Sequence, residues 1–440
     1  MLRRVLACAL ILALACAGLP FSGGADMPDP ALLTETDGIP DLMTFADGTP
    51  VASAKDWPRR REELLALYSH YVYGYMPDPG GETLAWSVAD APELGGKLLI
   101  VTVTVGENTG ELSYLVTLPE GEAPEGGWPY FVEYMPWSYS WGGQTYSGPS
   151  QNCLYAASRG YAGVNYDPSQ AAADNGMHFG AFYKLYRYDA VRRDDQRGVL
   201  LAWAWGVSKL IDALEAGAGA ELGIDPSLSL VGGVSRWGKS AAVAGAYDPR
   251  IAVTIPACSG LGGIAMFRTD NEGKTYDLTS LGGPAAWVNT SRNEPFSNLR
   301  DGEGYWFCGN FTRMRGADWL PVDQHMLCAL IAGEGRHLIV VTGITSEGWN
   351  NTEGQCLAWL AGKQTWDLLG IGDQTHILIH LDGHAILPSD MELILDYCDV
   401  NLLGRDPSAV TGDLSSMEGQ LFLEENRDVL DDAFAPYLGD

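Results

Sequence analysis

Residues 228–247 read LSLVGGVSRWGKSAAVAGAY, and three kinds of residue succeed one another along them. A short apolar run (Leu228, Leu230, Val231) stops at Gly232 and Gly233. The chain then passes through Val234, Ser235, Arg236, Trp237, Gly238 and Lys239 and becomes an alanine-rich stretch of high helix propensity. The pattern is strand, tight turn, helix. Glycines on both sides of the serine let the backbone fold sharply, so Ser235 is expected at the tip of the turn with the helix N-terminus behind it. Free backbone N–H groups and the positive end of the helix dipole would then stabilise an oxyanion beside the serine. The usual nucleophile-elbow spacing is Gly-x-Ser-x-Gly, and Gly238 comes one residue late. On the turn alone, an ordinary strand-to-helix connection stays open.

Working outward, the segments on either side repeat the strand and helix alternation. Before the elbow, residues 98–105, 114–118, 128–135 and 161–166 are short β-rich runs bounded by Gly or Pro, and Leu200, Trp203, Val207, Leu210 and Leu214 mark a long amphipathic helix. After it come a strand at 251–255, a long Gly-rich and aromatic insertion at 260–310 and a late strand at 336–344. A helix at about 353–369, a last strand near 376–381 and a helix at about 390–402 follow. Such alternation implies a mainly parallel sheet with helices on both faces. Residues 38–75 form an N-terminal wrap with a helix start near Asp56 and Trp57. The aromatic loop at 136–148 follows a strand at the carboxyl end of the sheet, where it can wall a site. The tail beyond Gly404 is acidic and loosely patterned.

Residues 1–24 open with Arg3 and Arg4, continue through an apolar core and end in small residues, as a secretory signal segment does. Export is expected, with plain cleavage preferred and a lipid anchor at Cys16 as the alternative. No other stretch is long and apolar enough to span a bilayer. Residues 25–440 are read as one catalytic domain, expected to be monomeric. The formal charge of -29 argues against nucleic acid as a partner, since phosphate backbones need a basic face. Cys153, Cys258, Cys308, Cys328, Cys356 and Cys398 show no metal-ligand spacing, and their pairing is left open.

The elbow, together with Ala246-Tyr247-Asp248-Pro249-Arg250-Ile251-Ala252, the run 320–327 (LPVDQHML), the run 302–307 (GEGYWF), Trp349 and Gly383-His384, resembles the glucuronoyl esterases. The resemblance runs from about Gly38 onward, with Val234 where those enzymes usually carry cysteine. It implies an α/β-hydrolase fold and a serine esterase that needs no metal or cofactor. The implied substrate is an ester between 4-O-methyl-glucuronic acid side chains of xylan and lignin alcohols. By the same resemblance Arg236 supplies oxyanion stabilisation, while Lys239, Glu303 and Trp349 contact the sugar. A family glutamine upstream of Glu303 has no clear counterpart. Acetylxylan-type or other carbohydrate esterase activity, and a non-catalytic carbohydrate-binding relative, stand as alternatives.

In α/β-hydrolases the catalytic order is serine, acid, histidine, with the histidine on the loop after the final strand. Only His384, in Asp382-Gly383-His384-Ala385, occupies that loop. His376 and His380 fall within the strand and read as satisfied structural histidines, and His325 as structural or supporting. The acid departs from the commoner family pattern. Where many relatives carry a glutamate before Ser-Gly-x-Gly-Gly, this chain has Cys258, and a thiol does not replace a carboxylate that holds the histidine tautomer. Glu347, after the late strand, fits the general order and a family variant with an acid two residues before tryptophan. A surface glutamate is its plain alternative.

Overall fold

The computed structural model describes residues 27–189, 196–269, 272–345, 348–381, 383–410, 412 and 418–435. In chain order its strands are β1 (Glu82–Ala91), β2 (Gly96–Val105), β3 (Asn108–Thr117), β4 (Trp128–Tyr134), β5 (Ser138–Trp141), β6 (Gln144–Ser147) and β7 (Ala162–Tyr166). They continue with β8 (Ile224–Val234), β9 (Val253–Ala257), β10 (Thr275–Tyr276), β11 (Trp287–Val288), β12 (His337–Gly343) and β13 (Thr375–His380). Nine of them form one sheet in the order β1-β2-β3-β7-β4-β8-β9-β12-β13. β1, β2, β3 and β7 pair antiparallel, and every pairing from β7 to β13 is parallel. β8, which leads into Ser235, therefore lies in the middle of the parallel half.

Alternation along the strands builds a core on each face of the sheet. Tyr130, Val132, Val231, Leu338 and Val340 join one apolar cluster with the helix Val199–Ala213 and the helix Arg236–Tyr247. Phe131, Leu230, Ile339 and Val341 join another with Met391, Ile394 and Leu395 of the helix Pro388–Asn401. Parallel strands covered on both faces read as unbroken apolar runs, and β9 and β12 are buried along their whole length. This is the three-layer arrangement that the strand and helix alternation implied.

The N-terminal wrap is fixed by hydrogen bonds to the body. The helix Trp57–Tyr71 starts where Asp56 and Trp57 placed it. Its Tyr68 hydroxyl donates to the Asp323 carbonyl over 2.8 Å, and Arg60 donates to the carbonyls of Leu42 and Asp41. Asp323 explains much of the 320–327 run. It caps the helix Gln324–Ile331 through the Gln324 N–H, accepts from the Phe267 N–H over 2.7 Å and pairs with Arg268 at 3.0 Å. His325, buried on that helix, reaches the Pro40 carbonyl at 3.0 Å and is structural.

β1 and the two tail helices are among the elements that the sequence reading did not predict. In β1, Leu84, Trp86 and Val88 alternate along the strand and pack half-buried on the core, but the exposed threonine, serine, alanines and acid between and beyond them mask so short a pattern on a sheet edge. The tail beyond Gly404 holds two helices, Glu418–Glu425 and Arg427–Phe434. Phe422 of the first packs on Tyr276 at 5.9 Å between ring centroids, and Asn426 bonds Asp277 in both directions, so the tail buttresses the 260–310 insertion. The expected signal segment, residues 1–24, and Cys16 lie outside the described residues.

Candidate active site

Ser235 sits between β8 and the helix Arg236–Tyr247 with φ 63° and ψ -128°. A non-glycine residue in that region stores on the order of 1–3 kcal/mol of strain and persists only where the surroundings impose it. Here they do. A Cβ at Gly233 would come within 2.8 Å of the Trp237 backbone, and one at Gly238 within 2.6 Å of the Ala257 carbonyl of β9. Both glycines are thus required by close approach. The later position of Gly238 follows because that residue, on the first helical turn, is the one that meets β9. The Ser235 N–H donates to the Ala257 carbonyl over 2.9 Å, which anchors the turn to the neighbouring strand.

Ser235, Arg236 and the exposed His384 together line two clefts that meet at the serine. The first, about 200 Å³, is polar and takes in Lys239, Glu294, Asn298, Glu303, Trp306 and Trp349. The second, about 360 Å³, is walled by Met135, Val234, Trp237 and Ile386, with Asn152 and Glu133 as its polar members. Every candidate named from the sequence falls on this double cleft except Glu347, which lies outside the described residues.

Cys258 lines the polar cleft, 1% exposed, with a positive φ of 43°. Burial pushes its thiol up to about 11, so it is a neutral thiol at physiological pH. The position at which the resemblance implied a carboxylate therefore supplies no charge to an imidazolium.

Lys239 is buried, and its three ammonium protons all meet protein acceptors: the carbonyls of Ser259 at 2.9 Å and Leu261 at 2.6 Å, and Glu294 Oε2 at 2.9 Å. An ammonium has three donors and no acceptor, so this set is complete. Glu294, not singled out from the sequence, is equally buried and accepts from Asn298 Nδ2 at 3.3 Å through its other oxygen. The Trp306 ring lies under both cations, 5.6 Å from Lys239 Nζ and 5.2 Å from the Arg236 guanidinium carbon. Trp349 is 49% exposed and forms an open wall. Glu303 lies half-buried at the rim of the polar cleft.

Of the strand histidines, His376 is half satisfied: its Nε2 meets the Asp373 carbonyl at 2.9 Å, while its buried Nδ1 has no hydrogen-bond partner among the described residues. His380 is not satisfied in the way its strand position suggested. Neither ring nitrogen has a hydrogen-bond partner among the described residues, and Asp390 Oδ2 stands 3.6 Å from Nε2. On the other side of Ser235, Glu133 at the end of β4 accepts from the Ser150 hydroxyl and from Asn152 Nδ2 at 2.8 Å, while burial raises its carboxyl above the usual range. The loop at 136–148 forms the β5–β6 hairpin, whose Tyr139 and Tyr146 stack at 5.1 Å and stay exposed. At its feet, Met135 lines this cleft and Ser150 bonds Glu133.

A mainly parallel sheet whose middle strand turns sharply at a strained serine, with a histidine on the loop after the last strand, defines an α/β-hydrolase. Such a site can carry out acyl transfer through a serine ester. The chain belongs to the glucuronoyl esterase family and is a carboxylic-ester hydrolase. A family model described as "Glucuronyl esterase, fungi" matches residues 101–370. The chain is 30% identical over 407 residues to a 4-O-methyl-glucuronoyl methylesterase of Schizophyllum commune, covering 92% of each. It is 36% identical over 426 residues to a multidomain esterase of Ruminococcus flavefaciens, covering 94% of this chain but spanning only 52% of that protein. Among solved structures, a carbohydrate esterase family 15 glucuronoyl esterase from Caldicellulosiruptor kristjansonii superposes with a TM-score of 0.73 at 35% identity, over 87% of this chain and 96% of that one. A glucuronoyl esterase mutant from Sporotrichum thermophile, in complex with methyl 4-O-methyl-β-D-glucopyranuronate, gives 0.67 at 25% identity over 89% and 96%.

Proposed function

We propose that this chain hydrolyses esters of 4-O-methyl-glucuronic acid carried on glucuronoxylan, including those with lignin alcohols, and that it acts outside the cell after export. The observation that carries the reading is the double cleft meeting at Ser235. One lobe is polar enough for a hydroxyl-rich acyl group and the other apolar enough for an alcohol residue. Ser235 attacks the ester carbonyl while His384 takes its proton. Arg236 and backbone N–H groups at the start of the helix hold the oxyanion, His384 returns the proton to the leaving alcohol, and water releases the acid in a second step. Glu347 is the carboxylate assigned to orient His384, since Cys258 is a neutral thiol.

The uronate ring is assigned to the lobe of Lys239, Glu303 and Trp349. With the Lys239 protons already committed, that residue acts on the sugar by fixing Glu294 and by its charge, while Glu294 and Glu303 offer acceptors to hydroxyls. The alcohol half falls against Met135, Trp237 and Ile386. No helix among the described residues is long and apolar enough to cross a membrane. The test is a substrate comparison: methyl and benzyl esters of glucuronate should both be hydrolysed, much faster than acetate is released from acetylated xylan. Acetate release without glucuronate hydrolysis would replace this reading with a deacetylase.

A further inference from the structure

Arg236 is tied to a carboxylate that no motif in the sequence marked. Its Nη1 donates to Asp174 Oδ2 over 2.6 Å, and among the described residues its other guanidinium N–H groups meet no protein acceptor. Asp174 is itself held by a third segment. Its Oδ1 accepts from the Trp306 indole N–H at 2.8 Å and from the Tyr305 hydroxyl at 3.3 Å. The Trp306 ring in turn lies 5.2 Å from the Arg236 guanidinium carbon. Three chain segments far apart in sequence, at 174, 236 and 305–306, close into one triangle at the mouth of the polar cleft.

An arginine side chain that is 43% exposed has many rotamers, and a donor aimed at developing charge helps only if it is already in place. Asp174 holds Nη1 and the tryptophan ring lies against the guanidinium, while Arg236 lines the same two clefts as Ser235. We infer that Asp174 is the positioning residue of the oxyanion arginine: it fixes the Arg236 guanidinium for the transition state without itself touching the substrate. This rests on the reading of Arg236 as an oxyanion donor. The carboxylate does not cancel the cation. Burial disfavours the Arg236 charge, and the Asp174 hydrogen bond and charge more than offset that, so the guanidinium is held above its ordinary value.

A double-mutant cycle on the full chain with methyl glucuronate separates this role from a structural one. Arg236→Ala should lower kcat about a hundredfold, the loss typical of a preorganised oxyanion donor. Asp174→Ala should lower kcat about tenfold with KM nearly unchanged, as expected when a reacting geometry loosens. In the Arg236→Ala background the second change should do nothing further, because the group it positions is gone. Asp174→Asn, which keeps an oxygen for the Trp306 indole and loses the charge, carries the same cycle if the alanine variant melts early. An equal loss from Asp174 substitution with and without Arg236 would overturn the inference, as would full activity of the Asp174 variants while Arg236→Ala is impaired. Full activity of Arg236→Ala would overturn the oxyanion reading itself and the inference with it.

Discussion

The Lys239 ammonium stands 2.9 Å from Glu294 Oε2, and both side chains are only 5% exposed. This buried pair forms the floor of the polar lobe, one turn of helix from Ser235. Removing one member leaves the other as an uncompensated buried charge, which costs roughly 3–5 kcal/mol. Lys239→Met should therefore lower the unfolding free energy by about that much in urea titrations, besides impairing glucuronate hydrolysis. Glu294→Gln, which retains an acceptor, should be milder. A Lys239→Met protein as stable as the parent would show that the ammonium is not held as described.

The acid assignment separates Glu347 from Cys258. Losing a sole orienting carboxylate costs on the order of 10⁴ in turnover, so Glu347→Gln should be severe. Cys258→Ser should stay within a few fold, since a buried thiol pushed up to about 11 carries no charge for the histidine. The folded enzyme should also keep its activity through iodoacetamide treatment at pH 8, because Cys258 is both buried and protonated. Near-normal turnover in Glu347→Gln with loss in Cys258→Ser would reverse the assignment.

Stability should fall in mild acid for a reason unconnected with the site. Burial holds both His325 and His337 down to about 4, against about 6.5 in an unfolded chain. Between those values the unfolded chain binds more protons, so stability is fully present above about 6.5 and is lost as the pH falls toward 4. Each residue contributes up to roughly 3 kcal/mol over that window. Urea unfolding at pH 7.5 and 4.5 should show the drop, and His325→Gln should flatten part of it. An unchanged slope in that variant would remove His325 from the account.

What was legible in the sequence follows from how locally each feature is encoded. The elbow could be read because strand, glycines, serine and helix are contiguous, and its one irregularity, the late Gly238, became intelligible only when β9 was seen against it. His384 could be read because chain order restricts it to one loop. Glu294 and Asp174 could not, since each sits in an irregular segment where charge carries no periodic signal. The nearest clue was Lys239 itself, a cation on a first helical turn that called for a partner. β1 escaped because its apolar face is only three residues long, Leu84, Trp86 and Val88, and half-buried, and His380 because alternation tells which face a side chain takes but not what meets it there.

The central claim is that Ser235 cleaves glucuronate esters, and the most direct measurement is hydrolysis of methyl 4-O-methyl-glucuronate by the parent and by Ser235→Ala, each with its thermal unfolding curve. The parent should release methanol and the acid. The variant should melt at the same temperature, because alanine keeps the turn, and should show no turnover. Near-parent turnover in Ser235→Ala, or none in a folded parent, would contradict it.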